Sequence, residues 1–354
     1  MKNVRYERLY EKMTELNLDA VYVRSPENHL YMSHFDNPDG YLFLTRTDGW
    51  VFADFRYTEA AMEDSFTGLH VCEPGKPALE SLVNEQNCHR IGYEDYSLHC
   101  AALSDLQRRM PQIEWVPVGN MFAQIRCAKT RDEVDNIIAA QRIAEGAFHH
   151  LLSVISYDMT EIEVAAELEY YMKKHGSEKP SFDTIAVSGT ASSRPHGVPR
   201  PVKLEKGFLT MDYGAVVNGY HSDMTRTICI GKADSEQKKL YNTVLSAQKA
   251  ALELAAPGVR NADLDKAARD IIDNAGYKGC FGHSLGHGVG LLIHEQPGVS
   301  GGMGETVLHP GEIITVEPGI YVAGKYGCRI EDMLYITENG TENLTNCPKE
   351  LIEI

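Results

Sequence analysis

Apolar residues at helical spacing open the chain: Leu9, Met13 and Leu16 predict an amphipathic helix, and Ala20–Val23 a short strand after it. Strand-like runs follow at Tyr41–Thr45 and Trp50–Asp54, on either side of the turn signal Asp48-Gly49. A helix near Ala78–Glu85, a strand at Arg90–Tyr93, a helix near Leu103–Met110 and a strand at Glu114–Val118 complete a mixed α/β pattern. The texture then changes. Thr130-Arg-Asp-Glu133 and Thr160-Glu-Ile-Glu163 are capping-box patterns, opening helices that run to about Ile155 and Gly176. Strand-like segments start at Phe182, two more helices span about Glu236–Ala255 and Ala262–Ala275, and strands return from Gly311. Without a strict βαβ rhythm, this interleaving predicts an α+β fold. Two domains are expected, residues 1–122 and 123–354.

Composition narrows the function classes. The 354 residues carry a net charge of −16, which argues against nucleic acid or an anionic membrane as partner. No apolar run approaches the ~18–20 residues of a membrane span. The first residues are charged and helix-patterned, so the chain reads as cytoplasmic. Eight cysteines form no C-x-x-C pair and read as reduced. His29, His34, His70, His89 and His99 are isolated and read as structural or solvated.

Five residues concentrate the chemistry: Asp212, Asp223, His287, Glu317 and Glu331. Four carboxylates and one imidazole carry a charge of about −4, which two divalent cations would balance. Asn218-Gly219 is a two-residue hairpin signal. Counting outward pairs Val217 with Tyr220 and Asp212 with Thr225, which puts Asp223 diagonal to Asp212 on the same face. Two surface aspartates beside a turn is the plain alternative.

The segment HSLGHGVGLLIH gathers His283, His287 and His294 between Gly282, Gly286, Gly288 and Gly290, which exclude a helix and allow close backbone approach. Its G-x-G-x-G spacing departs from the dinucleotide fingerprint. Glu317 and Glu331 interrupt apolar strands, where an acid needs a cation or a donor network. A plain ion pair of Arg329 with Glu331 is the alternative there. Oxygen-rich ligation with one imidazole favours Mn²⁺, with Co²⁺, Fe²⁺ or Zn²⁺ as further choices. Such paired metals activate a bridging water and polarise a carbonyl.

The segments PHGVP (195–199), MDYGA, SDMTRT, HSLGHGVGLLIHE, TVEPGIY and RIED resemble, in order and spacing, the pita-bread metallopeptidases, among them aminopeptidase P, prolidase and methionine aminopeptidase. The resemblance covers about residues 130–350. It implies a C-terminal pita-bread catalytic domain behind a creatinase/prolidase-like N-terminal α/β domain. Asp223 and Glu331 then bridge two metals, Asp212 binds one, and His287 with Glu317 holds the other. It makes His196, His294 and Glu317 catalytic, with His196, His283, His294 and Arg329 contacting substrate. Proline-containing peptides are the implied partners, and a homodimer the implied assembly. Glycine at 298, where some prolidases carry an arginine, tilts the expectation to an Xaa-Pro aminopeptidase over an Xaa-Pro dipeptidase. Creatinase-like C–N hydrolysis and a non-catalytic binding protein are the remoter alternatives. Arg194 and Arg200 flank His196 and read as solvated, or as carboxylate binders.

Overall fold

The computed structural model describes residues 3–36, 39–66 and 68–354. They form two compact units, Met1–Arg126 and Cys127–Ile354. In the first, β1 (Ala20–Val23), β2 (Tyr41–Thr45), β3 (Gly49–Phe52), β4 (His70–Cys72), β5 (Arg90–Tyr93) and β6 (Glu114–Pro117) make one sheet in the order β4-β3-β2-β1-β5-β6. Helices α1 (Val4–Glu15), α2 (Pro26–Ser33), α3 (Thr58–Asp64), α4 (Leu79–Glu85), α5 (Cys100–Arg109) and α6 (Met121–Cys127) accompany it. Of the expected α1 stripe, Leu9 and Met13 are fully buried, whereas Leu16, at the C-cap of the helix, is exposed. The expected division after residue 122 falls inside α6.

The second unit opens with α7 (Arg131–Val154) and α8 (Glu161–Lys174). Both capping boxes form, with Glu133 accepting from the Thr130 N–H at 2.7 Å and Glu163 from that of Thr160 at 2.6 Å. An antiparallel sheet joins β7 (Ile185–Ser188), β8 (Gly207–Tyr213) and β11 (Met224–Ile230), with the short hairpin strands β9 (Val216–Val217) and β10 (Tyr220–His221) between the last two. Helices α9 (Ser235–Leu254) and α10 (Asn261–Ile272) follow. A five-stranded antiparallel sheet is then built from β12 (Gly286–Gly288), β13 (Glu295–Val299), β14 (Ile313–Val316), β17 (Asp332–Thr337) and β18 (Gly340–Asn343). The ribbon of β15 (Gly319–Val322) and β16 (Tyr326–Arg329) lies between β14 and β17 in sequence.

The alternation of side chains along the strands decides where chemistry can sit. Leu209, Met211 and Tyr213 of β8, with Met224, Ile228 and Ile230 of β11, pack into a core with α7 and α8. Ile314 and Val316 of β14, with Leu334 and Ile336 of β17, pack into a second core with α9 and α10. Period two therefore turns Asp212, Thr225, Thr315 and the flanking Asp223, Glu317 and Glu331 to the faces away from those helices. Among the described residues, no helix is long and apolar enough to cross a membrane.

Candidate active site

The hairpin count holds. Asn218 and Gly219 adopt φ of 50° and 77°, the left-handed pair that a tight two-residue turn needs. Val217 pairs with Tyr220 and Asp212 with Thr225, so no residue is gained or lost between the turn and the aspartates. Asp212 and Asp223 both line a cavity of about 630 Å³.

His287, Glu317 and Glu331 line the same cavity, as do His196, His283, His294 and Arg329. Gly286 places His287 there: a Cβ at Gly286 would lie 2.0 Å from the Thr315 carbonyl oxygen, so only glycine lets β12 approach β14 so closely. Asp223, His287 and Glu331 each offer a ligand atom within 4.8 Å of the others. His287 Nε2 lies 3.6 Å from Asp223 Oδ2 and 3.4 Å from Glu317 Oε1. Its Nδ1 meets the Gly288 carbonyl at 3.0 Å, which puts the proton on Nδ1 and leaves the Nε2 lone pair facing the acids.

Hydroxyls and one guanidinium orient the carboxylates. Thr225 Oγ1 donates to Glu331 at 2.7 Å and Thr315 Oγ1 to Glu317 at 3.1 Å. Arg329 donates to Asp212 Oδ2 at 2.6 Å, to the Tyr321 hydroxyl at 2.6 Å and to Thr225 Oγ1 at 2.9 Å. Arg329 thus pairs with Asp212, correcting the ion pair with Glu331 entertained from sequence. Tyr321 escaped the sequence reading, though its alternation with Gly319 along β15 marks it; its hydroxyl joins Arg329 to His283 Nε2 at 3.0 Å. His294 sits edge-on to His287, ring centres 4.3 Å apart, and His196 is exposed.

This set fits divalent cations. Burial, then the neighbouring Glu331 and Asp212 carboxylates, hold Asp223 well above the usual carboxylate range. Burial, followed by Glu317 and Asp212, does the same to Glu331, while burial pushes Glu317 up to about 8. Burial lowers His287 to about 4, keeping its imidazole neutral and able to ligate. Asp212 Oδ1 is buried with no hydrogen-bond partner among the described residues. An acidic group this desolvated, beside an imidazole lone pair, is the donor set of a hard-cation centre.

A model of the metallopeptidase family M24 matches residues 135–338, and one of the creatinase/prolidase N-terminal domain matches residues 5–128. The chain belongs to metallopeptidase family M24. It is 38% identical to an Xaa-Pro dipeptidase of Pyrococcus furiosus over 351 residues, 98% of this chain and 99% of that one. Among solved structures, an Xaa-Pro dipeptidase from Bacillus anthracis aligns with a TM-score of 0.94 at 36% identity, over 99% of this chain and 100% of the other. An X-Pro aminopeptidase from Thermotoga maritima aligns with a TM-score of 0.91 at 32% identity, over 97% and 100%.

Buried pairs outside the cavity position the site of this M24 enzyme. Glu161, fully buried, accepts from Arg200 Nη2 at 2.6 Å, from Arg200 N at 2.9 Å and from Ser188 N at 2.7 Å. It thereby ties the loop carrying His196 to β7. Glu161 and Glu205 hold the Arg200 guanidinium, whose side chain remains one-third exposed. Arg226 donates to the Glu331 carbonyl and to Asp332 Oδ1 at 2.9 Å, locking β11 to the start of β17. Arg194 is exposed.

Proposed function

We propose that this M24 metallopeptidase hydrolyses Xaa-Pro bonds at the amino ends of peptides, with Asp212, Asp223, His287, Glu317 and Glu331 holding two divalent cations. The convergence of these five side chains on one cavity supports the reading, and so do the relatives named for Xaa-Pro bonds. Bound there, divalent cations supply charge compensation, an activated water and polarisation of the scissile carbonyl. Mn²⁺ is the proposed metal, because oxygen donors dominate and no thiolate takes part. Glu317, steadied by Thr315, is assigned the proton transfer, and His196 and His294 the steadying of the substrate carbonyl as charge develops. Proline bonds suit such a dedicated site, since the imide lacks an N–H and its isomers interconvert slowly.

One observation favours an aminopeptidase over a dipeptidase. A dipeptidase must neutralise a free carboxylate beside proline, yet the only arginine among the described residues that lines the cavity, Arg329, is committed to Asp212, Tyr321 and Thr225. The dipeptidase reading rests on the names of the Pyrococcus and Bacillus relatives. Turnover of Ala-Pro against Ala-Pro-Ala in one Mn²⁺ buffer decides between them; an aminopeptidase prefers the tripeptide. Full activity on both after exhaustive chelation would refute the metal assignment. The proposed assembly, a homodimer, is checked by sedimentation.

A further inference from the structure

One ionisable side chain of the cavity is absent from the chemistry above. Asp183 lines the cavity with Phe182 and Thr184, three consecutive residues on one wall. The pairing around them explains this. Ile185 pairs with Asp212 and Pro180 with Ala215, so five steps along one chain match three along the other. The two surplus residues bulge out of the ladder, and bulges beside active sites re-aim side chains. Asp183 is at the middle of this one.

Its carboxylate is exposed, and no hydrogen bond or ion pair to another described residue engages it. The other four carboxylates of the cavity form the buried group assigned to metals, and Arg329 is spoken for by Asp212. We infer that Asp183 is a specificity residue that receives a cationic nitrogen of the bound peptide, with the Phe182 ring flanking the aliphatic stem that carries it. This rests on the peptidase reading above. A peptide offers two sources of that nitrogen, its terminal ammonium and a lysine or arginine side chain. Both present the same charge, and an exposed carboxylate binds either at modest strength, about two- to fivefold in affinity.

The test uses the metal-loaded full chain and its Asp183→Asn and Asp183→Lys variants on Ala-Pro-Ala, Lys-Pro-Ala and Glu-Pro-Ala. If the side chain is the source, the wild type prefers Lys-Pro-Ala to Glu-Pro-Ala through KM. Asp183→Asn then levels the two, and Asp183→Lys reverses the order, with kcat kept. If the ammonium is the source, KM rises about two- to fivefold on all three peptides in Asp183→Asn and further in Asp183→Lys. Added salt shrinks either effect. Unchanged KM values for every peptide in both variants overturn the inference while the peptidase reading stands. A wild type that cleaves none of the three overturns that reading first, and this inference with it.

Discussion

Lys129 and Glu295 face each other at 3.5 Å with side chains only 1% and 2% exposed, one residue away from the cavity-lining His294. Glu295 Oε1 also accepts from the Leu292 N–H at 3.0 Å, and a Cβ on Gly290 would strike its Oε2 at 2.5 Å. The carboxylate fills the inside of the loop that returns His294 over His287. Lys129→Met removes this partner from a buried carboxylate, so a loss of up to about 3–5 kcal/mol is expected. Glu295→Gln keeps an acceptor for Leu292 but leaves the Lys129 ammonium buried without this carboxylate, so it should destabilise as well. Urea unfolding with kcat on a proline tripeptide checks both; a Lys129→Met protein as stable and active as the parent would show that the pair positions nothing.

Ligation and substrate handling separate by metal content. Asp223→Asn is expected to lose both bound metal and turnover, whereas His196→Ala, at an exposed cavity position, keeps the metal and loses about 10²–10³ in kcat. Elemental analysis beside steady-state rates reads the difference, and wild-type kcat in His196→Ala would remove its role.

Thr225 donates to Glu331 and accepts from Arg329, which in turn holds Asp212, so two candidate ligands are linked through one hydroxyl and one guanidinium. Thr225→Val should therefore weaken metal binding about 10- to 100-fold while the fold survives. A competition titration with a metallochromic chelator measures this, and unchanged affinity would rule the link out.

Metal uptake should release protons. Burial and neighbouring carboxylates hold Asp223 and Glu331 above the ordinary carboxylate range, and burial pushes Glu317 up to about 8, so Glu317 keeps its proton at neutral pH until a cation displaces it. Apparent affinity then rises with pH through those raised values. Calorimetry in buffers of different ionisation enthalpy counts the protons, and buffer-independent heats would contradict it.

Glu161 gives a stability effect of the opposite sign. Burial alone raises its pKa, but hydrogen bonds from Arg200 and Ser188 outweigh this and leave it below the usual value. The group binds protons less readily folded than unfolded. Its contribution is therefore complete above the unfolded pKa of about 4.3 and fades as pH falls through the folded one. Arg200→Leu should destabilise at neutral pH and flatten the acid limb of a melting-temperature profile; a profile parallel to the parent's would exclude this pair as its source.

Local pattern made much of this legible. The capping boxes at Thr130 and Thr160, the buried stripe of α1 and the register between Asp212 and Thr225 follow from spacings of a few residues. What stayed hidden depends on residues far apart in the chain. Arg329 reaches Asp212 across 117 positions and Arg200 reaches Glu161 across 39, so the sequence offered each arginine several acids and no means of choosing. Helix α2 was missed because its buried residues include Asn28, His29 and Ser33, polar groups that carry no apolar stripe. The two-residue bulge at Asp183 leaves no periodic trace at all.

The Asn218-Gly219 turn lies six residues from Asp212 and four from Asp223, and it touches neither. It nevertheless acts as a reading frame. One residue inserted there shifts one aspartate against the other and rotates it out of the cavity, as surely as a frameshift garbles a codon downstream. Lesions that silence this enzyme need not lie among the atoms that do its chemistry.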